Sequence, residues 1–395
     1  MNASKGILLA ACGSMLLACG STRDSSDILQ AYDNGPGVDI GSDLVQDEVA
    51  DVSRDSAVDT AVDVAADESV EADAPPSRTF TILTFNVGTT DNISHDGDPD
   101  GYSDALSVVN AAFYGNNLAW LPAQDSLKSL LEALKPDIIG FQELYFDGNC
   151  TSDCAAIEAG DPVLFSAACE GDSMACGTWT TGGPITVRRI LGPDYAVACA
   201  PNHPDNCVAV RKSFGALKDC DDGPCLDGLD GLRPPNGCTG GARVATAVIG
   251  LVDGPEVAVV DVHTTAGTNV ECRTAQFQQV FEDRGDGKPA TFGQHNIVVG
   301  DMNIDPFLMN PDYDASVAYW NQKVGVGKPF QYLSSSDSSG PNTHPYSFMK
   351  LDHVISNDLI GSCVVLGVSE GTTAPLSIDS TYFDHRPVYC VVNVP

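Results

Sequence analysis

The sequence predicts an α/β (α+β) domain over residues 77–395, a four-layer sandwich in which two packed mixed β-sheets are flanked by helices. Three observations support this. Four short runs, Phe80-Thr81-Ile82-Leu83-Thr84-Phe85, Asp137-Ile138-Ile139-Gly140-Phe141, Val257-Ala258-Val259-Val260-Asp261-Val262 and Asn296-Ile297-Val298-Val299-Gly300, are apolar and rich in β-branched residues. Each is bounded by Gly, Pro or polar residues, as buried strands are. Residues 244–251, 363–368 and 388–392 have the same character. Helical periodicity appears at residues 126–134 and 269–281; in the second, Val270, Phe277, Val280 and Phe281 share a face opposite Glu271 and Gln278. Strands and helices alternate without a regular βαβ rhythm, which points to mixed sheets with helices outside them. There is no internal repeat.

Ahead of this domain the chain is of two other kinds. Residues 1–18 carry one positive charge at Lys5, then an apolar run from Ile7 to Ala18 broken only by Gly13 and Ser14. Such a segment is a signal peptide, too short to span a membrane permanently. It ends at Leu17-Ala18-Cys19-Gly20, which resembles the bacterial lipobox; that resemblance makes Cys19 the lipid-bearing first residue of the mature chain. Cys12, after Leu9-Ala10-Ala11, fits the same pattern behind a much shorter apolar core, and a soluble secreted protein cut elsewhere is the other alternative. Residues 19–76 then read as an acidic tether: between 24 and 74 there are fifteen Asp or Glu and one Arg, Arg54. Small apolar residues so diluted cannot offset backbone ordering, so the stretch is expected to be disordered and self-repelling. As a plain coil it reaches roughly 40 Å.

Charge limits the function. Of the net −34, residues 75–395 carry −22, from 17 basic and 39 acidic side chains. A domain this acidic lacks the clustered Lys/Arg surface that neutralises phosphates, so any attraction for a phosphate-bearing partner must come from bound cations. Twelve cysteines remain in the domain, at 150, 154, 169, 176, 199, 207, 220, 225, 238, 272, 363 and 390. An even number in an exported chain reads as up to six disulfides of undetermined pairing. Zinc is the rival at Cys150-x3-Cys154 and Cys220-x4-Cys225, weakened by the lack of a His at ligand spacing.

Polar residues end most of the buried runs, the positions where a sheet holds a group rigidly and a loop leaves it open. Asn86 closes the first run, Gln142-Glu143 the second, His263 the third, and Asp301-Met302-Asn303 the fourth. Lys350-Leu351-Asp352-His353 and Phe383-Asp384-His385-Arg386 complete the set. Singly, each has a bland explanation as a turn residue, a solvated charge or a structural histidine.

In order they resemble the endonuclease/exonuclease/phosphatase superfamily, which includes deoxyribonuclease I, exonuclease III-type repair enzymes, neutral sphingomyelinases and inositol polyphosphate 5-phosphatases. Pro136-Asp137-Ile138-Ile139-Gly140-Phe141-Gln142-Glu143 and Gly300-Asp301-Met302-Asn303 carry most of the likeness, which spans roughly residues 79–393. The resemblance implies a divalent-metal-dependent phosphodiester hydrolase using Mg²⁺ or Mn²⁺, with Glu143 and Asn86 at the metal and Asp384 either joining them or serving a second ion. It further implies that His385 contacts the scissile phosphate with Asp352 on its far nitrogen, that Asp301 orients water, that Asn303 holds a phosphoryl oxygen, and that His263 assists the leaving group. Hard oxygen ligands suit Mg²⁺, and phosphodiester hydrolysis needs exactly such charge neutralisation beside an activated water.

Departures bear on substrate. Deoxyribonuclease I has a Glu beside its second histidine from the strand near Asn206-Cys207-Val208-Ala209-Val210-Arg211, where this chain has none; His203 and Asp205 are the candidate substitutes. Arg243 sits about where the nuclease has a phosphate-binding Arg. The 5-phosphatase signatures are absent, and Trp120, Trp179 and Trp320 are too dispersed for a membrane-inserting aromatic hairpin. Two acidic loops are candidates for structural Ca²⁺: Asp96, Asp98 and Asp100, spaced like the first half of an EF-hand but with Ser107 at position twelve, and the cysteine-closed run 219–227. The expected substrate is a nucleic acid or a phospholipid headgroup, the expected membrane contact is the lipid anchor, and the chain is expected to act as a monomer. The alternatives are a sphingomyelinase-like enzyme and a non-catalytic surface lipoprotein that keeps the fold for binding.

Overall fold

The computed structural model describes residues 78–90, 93–96, 100–157, 166–201, 203–220, 224–367 and 382–394. The expected signal peptide, Cys19, the acidic tether and Asp98 lie outside these residues. In chain order, β1 (Arg78–Asn86) is followed by α1 (Asp104–Val109), α2 (Leu121–Leu134), β2 (Ile138–Gln142), α3 (Cys150–Ile157) and α4 (Thr186–Leu191). Next come β3 (Tyr195–Ala200), β4 (His203–Arg211), β5 (Gly215–Leu217), β6 (Pro224–Cys225), β7 (Asp230–Gly231), β8 (Val244–Leu251) and β9 (Glu256–His263). The chain continues through α5 (Val270–Phe281), β10 (His295–Asp301), α6 (Ala315–Lys323), β11 (Gln331–Tyr332), β12 (Asp352–Ser356), β13 (Ile360–Val365) and β14 (Val388–Val394).

These strands make two mixed sheets, β13-β14-β1-β2-β4-β3-β6 and β11-β12-β10-β9-β8-β5, with β7 paired to β8. Each sheet has a central parallel pair, β1 with β2 and β9 with β10, and the first has a second at its edge, β3 with β6. Period-two alternation sorts the apolar residues into layers. Phe80, Ile82, Ile138, Val208, Val257, Val259, Ile297 and Val299 fill the space between the sheets. Leu83, Phe85, Ile139 and Phe141 turn outward onto Leu127, Leu130 and Leu131 of α2. On the other side Val260, Val262 and Val298 pack on Phe277 and Val280 of α5 and Val317 and Trp320 of α6. Burying each such side chain stabilises by about 1.5–3 kcal/mol, so the three apolar layers dominate the fold's stability.

Two glycines are fixed by close approach. A Cβ on Gly140 would lie 2.6 Å from Val299 Cγ2 across the inter-sheet layer, and one on Gly300 (φ +129°) would lie 1.9 Å from Val262 O. Gly140 thus lets the two sheets approach closely just behind the strand ends that carry the polar residues, and Gly300 fits against its neighbouring strand β9. Between the sheets Gln142 Nε2 donates to Asp261 Oδ1 at 2.6 Å, and burial holds the Asp261 carboxyl well above the usual range despite that bond.

The twelve domain cysteines form six disulfides: 150–176, 154–169, 199–207, 220–225, 238–272 and 363–390. The zinc alternative is thereby corrected, because Cys150 pairs with Cys176 and not with its neighbour Cys154, and Cys220 bonds Cys225 directly. Such bonds suit a protein maturing in an oxidising, exported compartment. No helix among the described residues is long and apolar enough to cross a membrane. Helix α2 begins five residues before its apolar periodicity does, with Pro122 in its first turn, where the missing N–H costs nothing.

Candidate active site

Strand direction gathers the polar residues. β1 and β2 run parallel and end side by side with Asn86 opposite Gln142; β9 and β10 end with His263 opposite Asp301. β12 runs antiparallel to β10 and starts where β10 stops, so Asp352 pairs with Asp301. Asp384 and His385 immediately precede β14, antiparallel to β1. All reach one edge of the sandwich.

The backbone at this edge is strained where it aims side chains. Glu143 (φ +60°) and Asn303 (φ +48°) both occupy the left-handed region. For a glutamate this costs about 1–2 kcal/mol and persists only where surrounding structure enforces it. Asn86 Nδ2 donates to Glu143 Oε1 and Asp301 Oδ2, both at 3.2 Å, while its Oδ1 accepts from Gly88 N. Asn303 N donates to Asp301 Oδ1 and its Nδ2 donates to Thr264 O and Asp301 Oδ2. Both asparagines thus turn their amide nitrogens inward and hold the carboxylates.

His385 Nδ1 lies 2.7 Å from Asp352 Oδ2, and its Nε2 lies 3.7 Å from Asp301 Oδ2 and 3.9 Å from Asp384 Oδ1. Burial opposes charge on this ring, but Asp352, Asp301 and Asp384 together outweigh it and hold His385 well above the usual imidazole range. Burial, then repulsion from Asp384, pushes Glu143 up to about 8; burial pushes Asp301 up to about 6, the His385 charge pulling the other way. His263 Nε2 is 3.4 Å from Glu143 Oε1 and 3.8 Å from Asp301 Oδ2.

Arg243, expected at the phosphate, has its Nη1 3.4 Å from His263 Nδ1. A guanidinium only donates, so Nδ1 is the acceptor and the neutral His263 ring carries its proton on Nε2, facing the carboxylates. Arg243 thus occupies the side of the second histidine for which the sequence offered His203 or Asp205. Asp205 lines the adjoining cleft of about 390 Å³ with Glu143, Arg243 and His263. The other expected groups, Asn86, Glu143, His263, Asp301, Asn303, Asp352, Asp384 and His385, all converge here. Of the Ca²⁺ candidates, Asp96 Oδ1 accepts from Asp104 N and Asp100 Oδ1 from Tyr102 N, one oxygen of each carboxylate, while residues 221–223 of the second loop, like Asp98, lie outside the described residues.

Three features of the site lay outside the sequence reading. Arg273 is buried and binds Thr265 O, Gly267 O, Ser316 Oγ and Asp314 Oδ2, while Gln276 Oε1 accepts from Thr265 N. Both clamp the loop that follows His263. Residues 344–349 form a tight hairpin exposing Tyr346 and Phe348, a short aromatic projection that dispersed tryptophans could not reveal. At its base His344 stands edge-to-face with His385, ring centroids 4.7 Å apart.

The sequence model of the endonuclease/exonuclease/phosphatase family matches residues 83–372. The chain belongs to that family. Its members are phosphoric ester hydrolases, generally dependent on a divalent metal. Among solved structures, the chain is similar to a humanized D. rerio TDP2 (14% identity, 80% of this chain and 99% of that one, TM-score 0.42). It is similar also to an endonuclease/exonuclease/phosphatase protein of Beutenbergia cavernae (15%, 80% and 72%, 0.44) and to the human Nocturnin catalytic domain with bound sulfate (15%, 81% and 99%, 0.42). A comparison with curated proteins finds no match.

The residues of this family member fit a divalent cation. Burial pushes both Glu143 and Asp301 up and Asp384 adds repulsion on Glu143, a set of charges that a bound cation would relieve. Asp384 Oδ1 is buried with no hydrogen-bond partner among the described residues. Carboxylate oxygens in this number suit Mg²⁺ or Mn²⁺.

Proposed function

We propose that this chain is a divalent-metal-dependent phosphodiester hydrolase of the bacterial cell envelope, exported and held there by a lipid on Cys19. The observation that supports it most is the assembly of His385, Asp352, Asp301, Asn303, His263, Asn86 and Glu143 at one sandwich edge, with the His385–Asp352 contact at 2.7 Å. A non-catalytic binding lipoprotein has no need to keep this set intact.

In this reading Glu143 and Asp384 would hold the cation, with Asn86 bracing Glu143; a bound cation would supply neutralisation of phosphoryl charge and a lower cost for the attacking oxygen. Asp301, fixed by Asn303 N and Asn86 Nδ2, accepts a proton from the attacking water. His385, kept protonated by Asp352, donates to a phosphoryl oxygen, where a preorganised charge acts most strongly. His263, with Nε2–H turned inward by Arg243, donates toward the departing oxygen.

Two substrate classes remain, each with its own support. Membership of a family of phosphoric ester hydrolases accommodates a nucleic acid, the leading one, while the exposed Tyr346 and Phe348 favour a phospholipid headgroup. The purified protein should be assayed on plasmid DNA, sphingomyelin and bis(p-nitrophenyl) phosphate with Mg²⁺, Mn²⁺ or EDTA. Metal-dependent turnover of at least one, abolished by EDTA, is expected; no turnover of any, or turnover indifferent to EDTA, returns the chain to the binding-module reading. Mass spectrometry of the membrane fraction should find a lipidated peptide beginning at Cys19, and a free N-terminus elsewhere would remove the anchor.

A further inference from the structure

His344 is placed with more precision than a loop residue needs. The hairpin it opens is closed by His344 N to Met349 O at 3.0 Å and Met349 N to His344 O at 3.3 Å. The preceding residue, Thr343, is buried and clamped on both sides: its Oγ1 accepts from Leu351 N and Asp352 N, and its carbonyl accepts from Arg386 N. These bonds tie His344 to the residue that orients His385 and to the residue that follows it. The His344 side chain is only 16% exposed.

The ring's hydrogen bonding fixes what it offers. Ser347 N donates to His344 Nδ1 at 3.0 Å, so the neutral ring carries its proton on Nε2. That N–H points into the space shared by Asp384 and His385, yet Asp384 Oδ2 is 3.8 Å away, beyond hydrogen-bond reach. His344, Asp384 and His385 present ligand atoms within 4.8 Å of one another, a spacing that would also admit a cation. Coordination, however, requires a lone pair on Nε2, and the Ser347 N–H directed at Nδ1 opposes that tautomer. A donor without an acceptor among the described residues, beside a charged histidine, is arranged for an anion's oxygen.

We propose that His344 is a third histidine of the phosphate site, donating from Nε2–H to a non-bridging phosphoryl oxygen of the substrate. This rests on the phosphodiesterase reading above. The Asp384 carboxylate opposes an anion at this position until its charge is neutralised, so the contact should form only with divalent metal present.

The test uses the full chain and three variants: His344→Ala, His344→Phe, which keeps a ring against His385 but no donor, and His344→Gln, whose amide nitrogen reaches about as far as Nε2. Isothermal titration with inorganic phosphate in saturating Mn²⁺ should show affinity lower by at least about tenfold in the Ala and Phe variants, the size of one hydrogen bond to a charged group. The Gln variant should return to within about threefold of the parent, and Mn²⁺ affinity should not change in any of them. Phosphate affinity in the Ala and Phe variants equal to the parent's, or no phosphate binding by the parent, overturns the proposal. So does weakened Mn²⁺ binding in all three, which would make His344 a ligand, and so does failure of both Ala and Phe variants to fold, which would make it structural. Hydrolysis of bis(p-nitrophenyl) phosphate is measured alongside: a parent that binds phosphate through His344 but hydrolyses nothing leaves this contact standing and removes the phosphodiesterase reading.

Discussion

Asp352→Asn isolates what one buried charge does for the site. Asp352 is fully enclosed, faces His385 Nδ1 at 2.7 Å, and is the carboxylate that contributes most to keeping that ring charged. Asparagine preserves volume and a polar contact but removes the charge. A hydrogen bond to a charged group is worth about 1.5–3 kcal/mol, which is about ten- to hundredfold in kcat/KM at neutral pH if the bond matters only in the transition state. The pH dependence has a definite sign. Because the folded His385 titrates above the unfolded value, its imidazolium stabilises the fold fully at acid pH and that contribution disappears as pH rises through the folded value. In Asp352→Asn the fold loses most stability at acid to neutral pH, and the alkaline limb of kcat/KM moves to lower pH. Initial rates from pH 5 to 9 with saturating Mn²⁺, beside melting curves over the same range, measure both. An unmoved alkaline limb with kcat/KM within about twofold of the parent would refute the claim that Asp352 sustains a working charge on His385.

Two other perturbations probe the carboxylates. Glu143→Gln should fold and keep the Asn86 contact while weakening metal dependence, so that raising Mn²⁺ restores part of the rate; since Glu143 sits at about 8 without metal, Mn²⁺ affinity of the parent should climb with pH toward that value and release a proton, which titrations in buffers of different ionisation enthalpy detect. Asp261, held well above the usual carboxylate range by burial, stabilises the fold below the unfolded carboxylate value and loses that contribution as pH rises toward its folded one. Asp261→Asn, which keeps the Gln142 contact, should therefore melt higher than the parent at pH 8 and about equally at pH 4; a lower melting temperature at pH 8 would show that Asp261 is ionised in the fold.

Much of the architecture was legible because apolar strands between sheets leave a strong local signature. The runs ending at Asn86, Gln142, His263 and Asp301 show both the strand and the polar residue at its open end. Strand β3, Tyr195-Ala-Val-Ala-Cys-Ala, gave little signal because small residues blur the contrast between buried and exposed positions. Arg273 and Gln276 were hidden for the opposite reason: a polar residue on an amphipathic helix is ordinarily counted as solvated, and only the tertiary fold shows these two buried under the His263 loop. Arg243 was recognisable as a site residue, but whether it faces phosphate or His263 depends on side-chain direction, which sequence order does not encode. The same holds for His344, set among turn-forming Pro, Ser and Asn residues, and for the disulfide pairing, decided by which loops the sheets bring together.

The assignment of His385 and Asp301 to a single chemical step is tested most directly by turnover of the His385→Ala/Asp301→Ala double variant against both single variants, on the best substrate with saturating metal. Each single change should reduce turnover by orders of magnitude with the fold retained, and the double variant should be scarcely slower than either, because residues acting as a unit are not additive. Near-normal turnover by His385→Ala, or a double variant slowed by the product of the two single effects, would contradict the account.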